Sequence, residues 1–186
     1  FETQNLTIGV NYTSPQRIMA IDIFTNSQSI LEKVKANNSE GIIAKKKYSK
    51  WLEAVRTKNW LKIKNWRYVD VIVIKFDQSN GFFIGAIYIE DNLSEIVSFK
   101  HGLKEEELDV LISIFKNNGI QVGMSWELPP SICVTIACID FDGSKLREPR
   151  FHAFQHNLEP TNCNWHAMHR QLNPIPPNVT ITHPDK

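Results

Sequence analysis

Between Arg67 and Lys100 the chain holds three closely spaced runs of β-branched and aromatic residues: RYVDVIVIKF (67–76), FFIGAIYIE (82–90) and SEIVSFK (94–100). The first two are separated by Asp77, Gln78, Ser79, Asn80 and Gly81, residues that favour turns because they bond their own backbone or tolerate positive φ. Such runs pair as a hairpin and its neighbouring strand. The segment 104–118 then switches to helical period. Leu108, Leu111, Ile112 and Phe115 form an apolar stripe, Glu105 to Glu107 favour the first turn, Lys116 the last, and Gly119 ends it. SICVTIACIDFDGSKLREPRFHAFQ (131–155) supplies two further strands around a DGSK turn.

Five strands with a helix between the third and fourth match a small closed barrel of the oligonucleotide/oligosaccharide-binding (OB) kind. Upstream, 5–10 and 17–23 read as short strands. Residues 25–38 read as a helix with Ile30, Leu31 and Val34 buried, capped by Thr25, Asn26 or Ser27. GIIAK (41–45) reads as a strand, 47–59 as a connecting loop or short irregular segment, and WLKIK (60–64) as a strand of alternating apolar and basic residues. At about 3.3 Å per residue, Lys62 and Lys64 project together about 6.6 Å apart, and Leu61 and Ile63 face the core. From Asn157 the chain becomes rich in Pro, Asn and His and reads as a linker. The fold class expected is therefore α+β, mostly β. Its parts are a unit at 1–66, the barrel at 67–158 and a linker at 159–186.

Charge is distributed unevenly along this frame. Residues 41–70 hold nine Lys or Arg against Glu53 and Asp70, a local net charge of +7, which leaves the remainder of a +1 chain at −6. That asymmetry points to a localised anion site, for phosphates, on an otherwise acidic body. Paired lysines on a strand either grip phosphate or keep an edge strand soluble. Cys133, Cys138 and Cys163 form an odd set with no disulfide framework and read as reduced, hence cytoplasmic. No apolar run reaches the ~18 residues of a membrane span, and no signal peptide opens the chain. The first residue is Phe and the last six are ITHPDK, so a piece of a longer polypeptide is expected. Cys163, His166 and His169 have a spacing zinc uses, without an evident fourth ligand. Trp51, Trp60 and Trp66 are either base-stacking platforms or packing residues.

EGIIAK (Glu40–Lys45), a loop, and WLKIK (Trp60–Lys64) leading straight into a barrel resemble the fourth and fifth nucleotidyltransferase motifs of ATP-dependent DNA ligases. LREPRFHAF (Leu146–Phe154) resembles the end of the barrel in bacterial end-joining ligases. ITHPDK resembles the opening of the polymerase domain that follows the ligase in one arrangement of these ligase–polymerases. The resemblance implies the C-terminal piece of an adenylation domain followed by an OB-fold, within an enzyme that seals DNA breaks through enzyme-AMP and DNA-adenylate in repair by end joining. It implies that Lys62 and Lys64 are catalytic, that Glu40, Lys45, Lys62 and Lys64 bind the nucleotide, and that Glu40 holds Mg²⁺. Lys46, Lys47, Arg56 and Arg67 would contact DNA. ATP and Mg²⁺ are the implied cofactors. Nicked or broken duplex DNA, end-binding proteins and a fused polymerase domain are the implied partners, at the nucleoid and with no membrane. Glu40 and Lys45 are five apart, so both reach one site only if Glu40 lies in the turn entering the strand.

Three departures accompany the resemblance. No Lys-x-Asp-Gly, the motif of the adenylated lysine, occurs in the chain, and Gln155-His156-Asn157-Leu158 stand where the family places basic residues. AVRTKN (54–59) keeps Arg56 and Lys58 of the loop between the two motifs but not its glycine. The other readings are a non-catalytic DNA-binding OB module and a related RNA ligase or capping-type nucleotidyltransferase.

Overall fold

A computed structural model of the chain describes residues 23–174. The expected strands at 5–10 and 17–23 and the closing ITHPDK lie outside the described residues. The chain divides into two compact units between Asn65 and Trp66.

In the first unit, α1 (Ser27–Ala36) is followed by the antiparallel pair β1 (Gly41–Lys45) and β2 (Trp60–Lys64). Asn26 caps α1: its side chain accepts from the backbone N–H of Gln28 at 2.8 Å and of Ser29 at 3.4 Å, satisfying two donors a helix start leaves open. Ile30 and Val34, one turn apart, are buried with Ile42 of β1. Leu31, expected in that stripe, is exposed. One residue on from Ile30 it is rotated about 100° away from the strand.

The second unit is built on β3 (Arg67–Asp77), β4 (Phe82–Ile89) and β5 (Asn92–Phe99). After these come α2 (Glu105–Asn118), β6 (Ile120–Val122) and β7 (Ser125–Cys138), then the short hairpin β8 (Asp140–Phe141) and β9 (Leu146–Arg147), and finally β10 (Arg150–Phe154). Its antiparallel sheet runs β10-β7-β3-β4-β5, with β6 added on β7. The Asp77 carboxylate organises the β3–β4 turn by accepting from the Ser79 N–H at 2.9 Å, the Ser79 hydroxyl at 2.6 Å and the Asn80 amide at 2.8 Å. Pro129 and Pro130 interrupt the β3–β7 ladder, whose register shifts between Val73 and Lys75; proline has no N–H to give it. The two ends of the sheet meet where the Phe151 N–H donates to the His101 carbonyl at 2.8 Å. Gly102 makes that approach possible: at its φ of +101° a Cβ would lie 2.3 Å from the Phe151 carbonyl oxygen. Leu111 and Phe115 of α2 plug the interior against Phe76, Phe83 and Phe99. The order β3-β4-β5-β10-β7 closing back on β3, with a helix after the third strand, is an OB-fold.

The linker reading of 159–186 does not describe residues 160–172. A 3₁₀ turn (Pro160–Asn162) leads into α3 (Trp165–Leu172), and Cys163, Met168 and Leu172 are buried in the barrel's own core. Backbone bonds hold the segment down. The Tyr88 N–H donates to the Cys163 carbonyl at 2.8 Å, and the Asp70 N–H to the Gln171 side-chain oxygen at 3.1 Å. An eight-residue helix shows only two or three apolar positions, too few to register as a period. The three cysteines are buried thiols. Cys133 and Cys163 face each other with sulfurs 3.8 Å apart, and burial pushes the Cys138 thiol up to about 12.

Candidate functional site

The β1–β2 register places Gly41 opposite Lys64, Ile43 opposite Lys62 and Lys45 opposite Trp60. Residues directly opposite in an antiparallel pair share a face. Lys45, Lys62 and Lys64 therefore project from one side of the hairpin, while Ile42, Ala44, Leu61 and Ile63 occupy the other. The alternation is as the sequence predicts, but its consequence for burial is not. Leu61 and Ile63 are 48% and 44% exposed rather than core residues, and only Ile42 on their face is buried against α1. Leu61→Ala and Ile63→Ala are accordingly expected to shift the unfolding free energy by less than about 1 kcal/mol, well short of the ~2–5 kcal/mol of a core truncation. Urea unfolding of the two variants checks this.

Lys45 is held over the indole of Trp60, its Nζ 3.9 Å from the ring centroid, a contact in which the ring's negative face attracts the ammonium. The indole is itself fixed, since its Nε1–H donates to the Ser49 hydroxyl at 3.2 Å. Sequence reading missed this pairing. Its only signal is that the two residues end facing strands.

Glu40 immediately precedes β1, past the turn at 37–38. Its carbonyl accepts from the Asn65 N–H at 2.8 Å, which places it at the Lys64 end of the hairpin. Gly41 creates the entry. It sits at φ +146°, and a Cβ there would lie 2.2 Å from the Ile63 carbonyl oxygen and 2.8 Å from the Lys64 Cα. The glycine after Glu40 is thus what lets β1 lie close on β2.

Lys46, Lys47 and Arg56 are exposed in the loop joining β1 to β2. Arg67 is placed differently from the DNA contact the resemblance implies. It is 6% exposed at the start of β3, in the second unit, with Nη1 2.9 Å from the Asp140 carboxylate. A guanidinium that is itself buried and paired with a half-exposed carboxylate is not presented to a phosphate. Among the described residues no group of three or more His, Cys, Asp or Glu is placed to hold a metal ion. The zinc spacing of Cys163, His166 and His169 fails because Cys163 points into the core while His166 and His169 are exposed.

Residues 11–64 match the family model of the ATP dependent DNA ligase domain. The match stops at Lys64, the last residue of β2 and of the lysine face. Over 172 residues, 92% of its length, the chain is 31% identical to the bifunctional non-homologous end joining protein LigD of Bacillus subtilis (strain 168). The chain is a relative of the ATP-dependent, end-joining DNA ligases. It spans 28% of the length of that LigD. The ligase domain of M. tuberculosis LigD has a similar fold, with a TM-score of 0.51 and 15% identity over 77% of this chain and 53% of that one. The mostly-β α+β class and the OB-like sheet agree with that LigD domain.

Proposed function

We propose that this LigD relative supplies the last part of the adenylating domain and the OB barrel of an ATP-dependent DNA ligase that joins broken DNA. The observation that carries the reading is the single face bearing Lys45, Lys62 and Lys64, in a segment that matches a ligase family model. Ligation moves phosphoryl charge three times. A lysine attacks the α-phosphorus of ATP and pyrophosphate leaves; AMP passes to a DNA 5′-phosphate; the 3′-hydroxyl attacks and AMP leaves. Each transfer is limited by charge on the phosphoryl oxygens, and cations pre-set on a rigid hairpin neutralise it without reorganising. The attacking lysine is not among these three, because the chain contains no Lys-x-Asp-Gly.

Lys62 and Lys64 contact the phosphoryl group in transit. Lys45, steadied on Trp60, contacts the nucleotide phosphate. Mg²⁺ is bound in such reactions by one or two carboxylates together with substrate phosphates, and Glu40, at the Lys64 end of the hairpin, would supply one such carboxylate. When bound, the ion adds charge neutralisation to that of the lysines. Lys46, Lys47 and Arg56 hold the DNA backbone. End-binding proteins, a fused polymerase domain and a place at the nucleoid in the cytoplasm belong to the same proposal.

A second reading is favoured by Gln155. Its side chain donates to the Thr135 hydroxyl at 2.7 Å, and Thr135 in turn donates to Asp70 at 2.5 Å. Gln155, the first of the four residues standing where the family places basic ones, is thus an uncharged side chain tied into the barrel. A barrel that only binds DNA would have this character. Nick sealing by the full-length protein separates the two. Ligation that requires ATP and Mg²⁺ is expected; a folded protein that binds nicked duplex and seals none of it is the DNA-binding module instead.

A further inference from the structure

We propose that the loop between β1 and β2 is a site for unpaired nucleotides at a DNA end, a role that rests on the ligase reading and extends it. Residues 46–58 carry Lys46, Lys47, Lys50, Arg56 and Lys58 against Glu53 alone, a net charge of +4. Two rings stand among these cations in solvent: Tyr48 is 91% exposed and Trp51 66%. Single surface aromatics need no explanation, but two within four residues, interleaved with lysines, form a cationic stacking surface.

The loop is held at its base and displays the rings by its backbone. The Lys46 N–H donates to the Asn59 carbonyl at 2.7 Å, and the Ser49 N–H to the Lys46 carbonyl at 3.0 Å. Ser49 is tied in turn to the Trp60 indole. Tyr48 sits at φ +63°, a conformation that a bulky side chain rarely adopts. The Lys47 Nζ lies 5.4 Å from the Tyr48 ring centroid, so charge and π-face occur side by side.

Unpaired nucleotides match both features: the cations neutralise phosphates and the rings accept base faces. Duplex DNA offers this loop its phosphates only, since its base faces are already stacked. An acidic protein surface would engage the lysines and leave the rings in water.

The test uses the full-length protein, with fluorescence anisotropy on a labelled blunt duplex and on the same duplex carrying a short single-stranded 3′ overhang. Tyr48→Asn combined with Trp51→Gln is the variant, because Asn tolerates positive φ. Overhang binding is expected to weaken by about tenfold for each ring lost, with blunt-duplex binding changed by less than about twofold. Trp51→Phe should retain most of the overhang affinity. Lys50→Gln should weaken both DNAs and make the salt dependence shallower, because it removes a phosphate contact. If the double variant binds overhangs like the parent, or loses both DNAs equally, the proposal is overturned. A lowered melting temperature of the double variant would show that the rings pack on the protein, and would overturn it too. These outcomes leave the ligase reading standing if nick sealing persists. A parent protein that binds neither DNA would remove both.

Discussion

If the proposed ligase activity holds, Lys62→Ala and Lys64→Ala in the full-length protein are each expected to slow sealing of a preadenylated nick by about 10²–10³, equivalent to ~2.7–4 kcal/mol of transition-state stabilisation. The substrate is chosen so that only the final transfer is measured, the attack of the 3′-hydroxyl with departure of AMP. Both lysines leave the face of β2 opposite Leu61 and Ile63. Lys62 is exposed, and its loss should move stability by no more than about 0.5 kcal/mol. Lys64 is half-buried where Gly41 closes on it, so a slightly larger structural effect is expected there. Melting temperatures taken alongside the rates separate the two effects. Variants that remain folded and seal at the parent's rate would reduce WLKIK to a strand kept soluble by its lysines.

Met168→Ala should destabilise the barrel by ~2–5 kcal/mol, the range for truncating a fully buried side chain whose cavity collapses only in part. Met168 is 0% exposed in the barrel's core cluster, one helical turn from buried Leu172. Arg170, on the exposed side of the same helix, should tolerate Ala within about 0.5 kcal/mol. Urea unfolding of the pair distinguishes a structural helix from a linker: in a linker neither change would shift the midpoint.

The barrel was legible because its evidence is long. β3 spans 11 residues and α2 spans 14, and over such lengths apolar spacing overrides single exceptions. α3 was not legible for the opposite reason, with eight residues set among Asn and His that usually mark loops. In WLKIK the alternation correctly told which side chains go together. It does not tell which side is covered, since that depends on what lies over the hairpin. Arg67 shows a similar limit: within a basic stretch its charge counted toward phosphate binding, while its actual partner, Asp140, lies 73 residues away. The left-handed backbone of Tyr48 leaves no trace in composition or period.

The most direct measurement is covalent labelling with ATP carrying a label on its α-phosphate, in the presence of Mg²⁺, applied to the full-length protein and to the 186-residue chain in parallel. An AMP adduct is expected on the full-length protein and none on this chain, which holds the lysines proposed to bind phosphate but no Lys-x-Asp-Gly. A full-length protein that binds nicked DNA yet takes no label, or an adduct on a lysine of this chain, would contradict the proposed function.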